Sequence, residues 1–304
     1  MKFIDLFAGI GGIRIPFDES GAKCVFSSEI DKYARTTYSS NFDDIPSGDI
    51  TTIDENDIPE FDMLLAGFPC QPFSNAGLRK GFKDMRGTLF FDICRIVKKH
   101  KPKVILLENV KGFVGHDKGN TMVVILKSLR DIGYEVSYKV LNAKDFGVPQ
   151  NRARIYIVAF LNKNKKFNFP QPIDCSNVTL GDILLRSVDD KYTISDRLWA
   201  GHKRRKAEHK KKGNGFGYSI FNSDSKYTST ISARYYKDGS EILIEQQGKN
   251  PRKITPKEAS RLQGFPESYK IVVSDTQAYR QFGNSVAVPV IRALAKEIYT
   301  TLGV

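Results

Sequence analysis

The chain has 304 residues, 40% hydrophobic and 27% charged, which supplies a sizeable core over roughly two domains of ~150 residues and excludes global disorder. Lys plus Arg number 47 against 34 Asp plus Glu, a net +13 that points to a polyanionic partner, nucleic acid ahead of a membrane surface. Apolar runs such as 104–107 are far shorter than the ~20 residues of a spanning helix, and Asp5 puts an acid too early for a secretory signal, so a cytoplasmic protein with no membrane partner is expected.

In chain order, residues 3–7, 22–26, 63–66, 104–107 and 154–160 read as buried strands. Residues 89–97 place apolar side chains at helical spacing between two of them. This βαβ rhythm predicts an α/β fold: a mostly parallel sheet with helices on both faces. The pattern changes at Phe169-Pro170-Gln171-Pro172. Beyond it, residues 203–212 hold seven basic side chains and one acid. The Gly-studded aromatic segment Gly213-Asn214-Gly215-Phe216-Gly217-Tyr218 and hairpin-like stretches follow, which predicts a second, smaller, β-rich domain. Thr255-Pro256-Lys257-Glu258 has the N-cap, first-position Pro and third-position Glu of a helix start, closed by Gly264. The last helix, residues 289–302, is apolar on more than one face and needs the large domain's sheet to bury it.

The four cysteines (Cys24, Cys70, Cys94, Cys175) make no CxxC pair, and the four histidines make no HxH or HxxxH. Neither a zinc site nor a disulfide framework is expected.

Ligands of open α/β sheets bind at the carboxyl ends of the strands, and the chemically distinctive residues fall there. The first strand runs into Ala8-Gly9-Ile10-Gly11-Gly12, a turn that lets backbone approach a ligand. The second ends at Glu29, an acid placed to accept ribose hydroxyls. Arg14 stands where the dinucleotide fingerprint has its third glycine, which favours an adenosine ligand without a pyrophosphate. The third strand leads to Gly67-Phe68-Pro69-Cys70-Gln71-Pro72, where two prolines stiffen the backbone around a thiol. The fourth ends at Glu108-Asn109-Val110. Arg152 and Arg154, two apart at the start of a strand, are expected to share a face.

Asp5-Leu6-Phe7-Ala8-Gly9-Ile10-Gly11-Gly12, Gly67 through Ser74, Glu108-Asn109-Val110, Gln150-Asn151-Arg152-Ala153-Arg154 and Gln281-Phe282-Gly283-Asn284-Ser285-Val286 occur in the order found in bacterial DNA (cytosine-5)-methyltransferases, and the chain resembles that family over nearly its whole length. The resemblance implies an S-adenosylmethionine-dependent, Rossmann-like methyltransferase domain over 1–177 and 282–304. It implies a small target-recognition domain and return hinge over 178–281. It also implies Cys70 as nucleophile on ring carbon 6, Glu108 at ring nitrogen 3, Arg154 on the cytosine carbonyl and Arg152 in support, with the target base flipped out of the duplex.

By the same likeness, Phe7, Gly9, Gly11, Glu29, Ile30, Asp49, Ile50, Pro69, Leu89, Asn284 and Ser285 form the cofactor pocket. Phe7, Ile30 and Ile50 equally suit plain core positions. Gln71 and Ser74 touch DNA, together with Arg79, Lys80 and Arg86 in a segment that reads as a lid over phosphates.

The small domain resembles the recognition region of the Dcm group, which methylates the inner cytosine of CC…GG sites. Arg234 and Lys237 are placed to read guanine edges or to hold phosphates, and 203–212 reads as a backbone-binding stretch. The partners implied are double-stranded DNA and, acting separately, a cognate restriction endonuclease. A monomer is expected and no metal. Relatives with the same motif set act on transfer RNA; the Dcm-like segment argues for DNA.

Overall fold

The computed structural model describes residues 1–69 and 89–304. Six strands, β1 (Lys2–Leu6), β2 (Lys23–Ser28), β3 (Met63–Gly67), β4 (Val104–Val110), β5 (Glu135–Asn142) and β6 (Ala153–Phe160), form one sheet in the order β2-β1-β3-β4-β6-β5. The pairs β1·β2, β1·β3 and β3·β4 are parallel. Strand β6 runs antiparallel to β4, with Val104 opposite Phe160 and Val110 opposite Arg154. The α/β, mostly parallel architecture is therefore as the apolar runs predicted.

Alternation along the strands assigns the two faces. Ile4, Leu6, Leu64, Ala66, Ile105 and Leu107 join one cluster with Phe90, Ile93 and Val97 of α3 (Leu89–His100) and Ile125 and Leu129 of α4 (Asn120–Ile132). On the opposite face Phe3 meets Phe17 of α1 (Arg14–Glu19), and Phe17 meets Tyr299, with ring centroids 5.9 and 6.0 Å apart. Tyr38 of α2 (Lys32–Asn41) reaches Asp5 on that same face. Helices thus cover both faces. The final helix, Val288–Leu302, buries Val290, Ile291, Leu294, Ala295 and Ile298, as its all-round apolar character required.

The chain divides into two compact units: 1–141, 153–171 and 290–304 in the first, 142–152 and 172–289 in the second. This differs from the expected boundaries at 177 and 282. Gln150 and Arg152 account for much of the difference, because their side chains bond to backbone at Leu262, Ile231, Gly283 and Ser285. Gly283 matters too: a Cβ there would lie 2.3 Å from Ser232 backbone, so this close approach admits only glycine.

The second unit is not β-rich among the described residues. Its strands β7 (Ile220–Phe221), β8 (Leu243–Ile244) and β9 (Arg252–Lys253) are two residues each, and β7 pairs parallel to β8 rather than as a hairpin. Three helices, α5 (Asp196–Lys211), α6 (Pro256–Leu262) and α7 (Asp275–Asn284), make up more of it. The Asp, Gly and Ser residues around 238–240 favour turns over strand. Helix α6 starts as the sequence indicated: Thr255 and Glu258 form a reciprocal capping box and Gly264 has φ +72°. Glu258 is fully buried and pairs with both terminal nitrogens of Arg252 at 2.8 Å, a closed polar knot that ties α6 to β9.

Candidate active site

Glu108 lies inside β4 and is 9% exposed. Its residue pairs with Gly67 on β3 and with Tyr156 on β6. Arg154 is two residues from Tyr156, so it is the diagonal cross-strand neighbour on the same sheet face. The guanidinium Nε lies 3.3 Å from Glu108 Oε1. The other carboxylate oxygen faces Gly67, 3.5 Å from where a Cβ would stand. An acid and a cation thus meet at the rim where β3 passes into the segment leading to Cys70.

The neighbouring Asn109 supplies a contact that sequence reasoning recorded only as motif. It is 3% exposed, and its amide nitrogen donates to the Phe68 carbonyl at 2.9 Å. An Asn directly after Glu108, near the end of a strand, was the available signal. Cys70, Gln71, Ser74, Arg79, Lys80 and Arg86 lie outside the described residues.

Arg152 and Arg154 do not share a face as expected. Strand β6 begins at Ala153, so Arg152 stands outside it, 2% exposed in the second unit. Its guanidinium donates to the carbonyls of Ile231 (3.0 Å), Gly283 (2.9 Å) and Ser285. Three main-chain acceptors make it a brace for that unit's backbone.

At the ends of β1 and β2, Phe7, Gly9 and Gly11 all have positive φ, at 54°, 56° and 79°. For Phe7, a bulky residue, that is strained backbone, of order 1–3 kcal/mol. Gly9 N–H donates to Glu29 Oε2 and Asp31 N–H to Oε1, both at 2.8 Å. The carboxylate is thereby fixed beside the glycine turn with lone pairs to spare for two hydroxyls. Next to it Ile30 is 71% exposed, an apolar surface for a flat ring. An acid oriented by a glycine turn beside an uncovered apolar side chain fits the adenosine half of S-adenosylmethionine.

Ile50, by contrast, is in the hydrophobic core, and Phe7 packs half-buried against it. The Asp49 carboxylate caps the turn at 50–52 through Thr51 N and Oγ1 at 3.0 and 2.8 Å. Pro69 is exposed and Leu89 half-buried, both in the first unit. Asn284 and Ser285 belong to the second unit, as do Arg234 and Lys237, whose side chains are exposed. Among the described residues there is no group of three or more side chains able to hold a metal, and no helix long and apolar enough to cross a membrane.

Comparison with known proteins bears on this geometry. The chain is 64% identical over 304 residues to the Type II methyltransferase M.NlaX of Neisseria lactamica, covering 99% of this chain and 97% of that protein. It is 62% identical to the Type II methyltransferase M.SsoII of Shigella sonnei, covering 99% of this chain and 80% of that one. The crystal structure of S. pombe Dnmt2 methyltransferase shares the fold, with a TM-score of 0.81 at 23% identity over 100% of both chains. A family model described as C-5 cytosine-specific DNA methylase matches residues 1–300, and with these relatives it settles the classification: the chain belongs to the C-5 cytosine-specific DNA methylase family.

Proposed function

We propose that this protein moves a methyl group from S-adenosylmethionine to carbon 5 of a cytosine swung out of duplex DNA, through a transient bond between Cys70 and ring carbon 6. The observation that carries the reading is the Glu108–Arg154 pair at the rim of β4. Bound S-adenosylmethionine would supply an electrophilic sulfonium methyl.

The protein's own residues do the rest. The Cys70 thiolate adds to carbon 6 and pushes an electron pair into the ring. Glu108 delivers a proton to ring nitrogen 3 and so removes the charge that builds there. Arg154 holds Glu108 in place and offers its remaining N–H groups to the cytosine carbonyl. Once carbon 5 carries the methyl group, its proton leaves to solvent, the nitrogen-3 proton returns to Glu108, and the re-forming double bond expels the thiolate.

Glu29 holds the ribose and Ile30 the adenine, and Asn284 and Ser285 are the remaining donor-binding candidates that the family motif assigns. Gln71, Ser74, Arg79, Lys80 and Arg86 contact the DNA beside Cys70. Arg234 and Lys237 read or grip the target, which we take to be a CC…GG site of the Dcm type, and Arg152 supports the backbone of their unit. We place the protein in the bacterial cytoplasm, acting as a monomer, with a cognate restriction endonuclease as a separate partner.

The test is trapping. An oligonucleotide carrying 5-fluorocytosine cannot lose its carbon-5 substituent, so the enzyme should remain bonded to it. Peptide mapping by mass spectrometry should find the adduct on Cys70. An adduct elsewhere, or none, overturns the mechanism.

A further inference from the structure

The glycine turn at the end of β1 rests on a clamp whose centre is Phe42. This residue closes α2 in extended conformation (φ −131°, ψ 139°), and its N–H bonds to the Tyr38 carbonyl. Its ring lies so close under the turn that a Cβ on Gly11 would come within 2.2 Å of it. The Gly11 backbone can therefore sit on that ring only because it has no side chain, and the positive φ of 79° adds a second reason for glycine.

The ring is in turn held from α1. The Arg14 guanidinium lies 4.4 Å from the Phe42 centroid and 5.3 Å from that of Tyr38. Its nitrogens donate to Asp18 (2.7 Å), Asp44 (2.8 Å) and the Tyr38 hydroxyl (3.0 Å). Asp44 also accepts from Ser27 of β2 at 2.9 Å, and Tyr38 donates to Asp5 of β1 at 3.3 Å. Asp5 is buried, and desolvation holds its carboxyl well above the usual carboxylate range. The network thus pins the ends of β1 and β2 to each other through one cation and one ring. Those ends carry Gly9 and Glu29, which the 2.8 Å bond already joins.

We infer that Phe42, locked by Arg14, is a positioning residue for the methyl donor: it sets the height of the Gly9–Gly12 turn and hence the distance between that turn and Glu29. This rests on the donor reading above. The position of Arg14, where nucleotide-binding turns of the GxGxxG kind have glycine, gains a purpose here. A glycine there would allow close helix–strand packing, whereas the arginine fills the space and fixes the ring.

The experiment measures S-adenosylhomocysteine binding by calorimetry and duplex DNA binding by fluorescence anisotropy, on the wild-type chain and on Phe42→Ala, Phe42→Tyr and Arg14→Lys. Phe42→Ala should weaken S-adenosylhomocysteine binding about tenfold or more while DNA affinity stays within about twofold. Phe42→Tyr should restore donor binding, and Arg14→Lys, which keeps charge but loses the fork, should fall between. General loosening of the fold would lower both affinities together and be indifferent to the rescue. Wild-type donor affinity in Phe42→Ala, or in Arg14→Lys should the alanine variant not fold, overturns the inference alone. Failure of the wild-type chain to bind S-adenosylhomocysteine would overturn the donor reading, and this inference with it.

Discussion

The side-chain amide of Asn109 donates to the main-chain carbonyl of Phe68 across adjacent strand ends, two residues before Cys70 in the chain. The bond is buried, with Phe68 5% exposed. It ties the approach to the proposed nucleophile to the residue next to the proposed acid. Asn109→Ala leaves that carbonyl without this donor, a cost of about 1–3 kcal/mol. Methyl transfer should slow by roughly 10–100-fold while S-adenosylhomocysteine binding is retained. A radiolabelled-donor assay with calorimetry checks both, and an unimpaired rate would exclude a positioning role for Asn109.

Glu108→Gln keeps the shape and removes the transferable proton. Single-turnover methylation should fall by at least ~100-fold, with DNA and donor affinities little changed. Arg154→Ala should also lower the rate, and the double variant should lose less than the two single losses combined, because part of the arginine's effect passes through the acid it holds. Additive losses would mean that the two residues act separately.

Arg152 gives a contrasting expectation. With three main-chain carbonyls as acceptors, Arg152→Ala should destabilise by about 3 kcal/mol or more. The loss should appear as faster amide exchange around 231–233 and 283–285. Unchanged protection there would refute the bracing role.

Burial pushes the thiols of Cys24 and Cys94 up to about 12. A raised pKa keeps a thiol protonated, so at pH 8 neither should react with iodoacetamide in the native protein. Both should be labelled after denaturation, read by mass spectrometry. Native labelling of Cys94 would contradict its place in the core.

His202 is 2% exposed, with Nε2 at 3.1 Å from the Asp238 carbonyl and Nδ1 at 2.9 Å from Arg205. Desolvation lowers its pKa from 6.5, and Arg205 adds to the shift. Because the folded value lies below the unfolded one, the stabilisation is complete above about 6.5 and declines as pH falls through the folded value. Urea melts at pH 7.5 and 5.5 should show a larger acid loss for the wild type than for His202→Gln. Equal losses would show that His202 is not the group concerned.

Five of the six sheet strands could be read as apolar runs, four because they are buried on both faces and β2 through Cys24, Val25 and Phe26, which are only half-buried at the sheet edge. Strand β5 could not: it lies at the sheet edge, and the polar Ser137 and Lys139 interrupt its apolar run. Motif spacing placed Glu29 and the glycines just past strand ends, where the structure has them, whereas Glu108 lies inside β4. It could not separate Arg152 from Arg154, since the strand begins between them, at Ala153, and its alternation does not extend to a residue outside it. Nor could it foresee Phe42 under Gly11, a contact between residues 31 positions apart that only the folded chain creates.

The reversal of β6 decides which rim of the sheet its first residues occupy. Eight residues of strand span ~25 Å. Had β6 run with its neighbours, Arg154 would begin at the far rim, beyond any side chain's reach of Glu108. Turning one strand around lets a late stretch of the chain deliver a cation to acids that close earlier strands, with no crossover helix needed. A charge moved to the Phe160 end of that strand would therefore be chemically silent, however similar the composition.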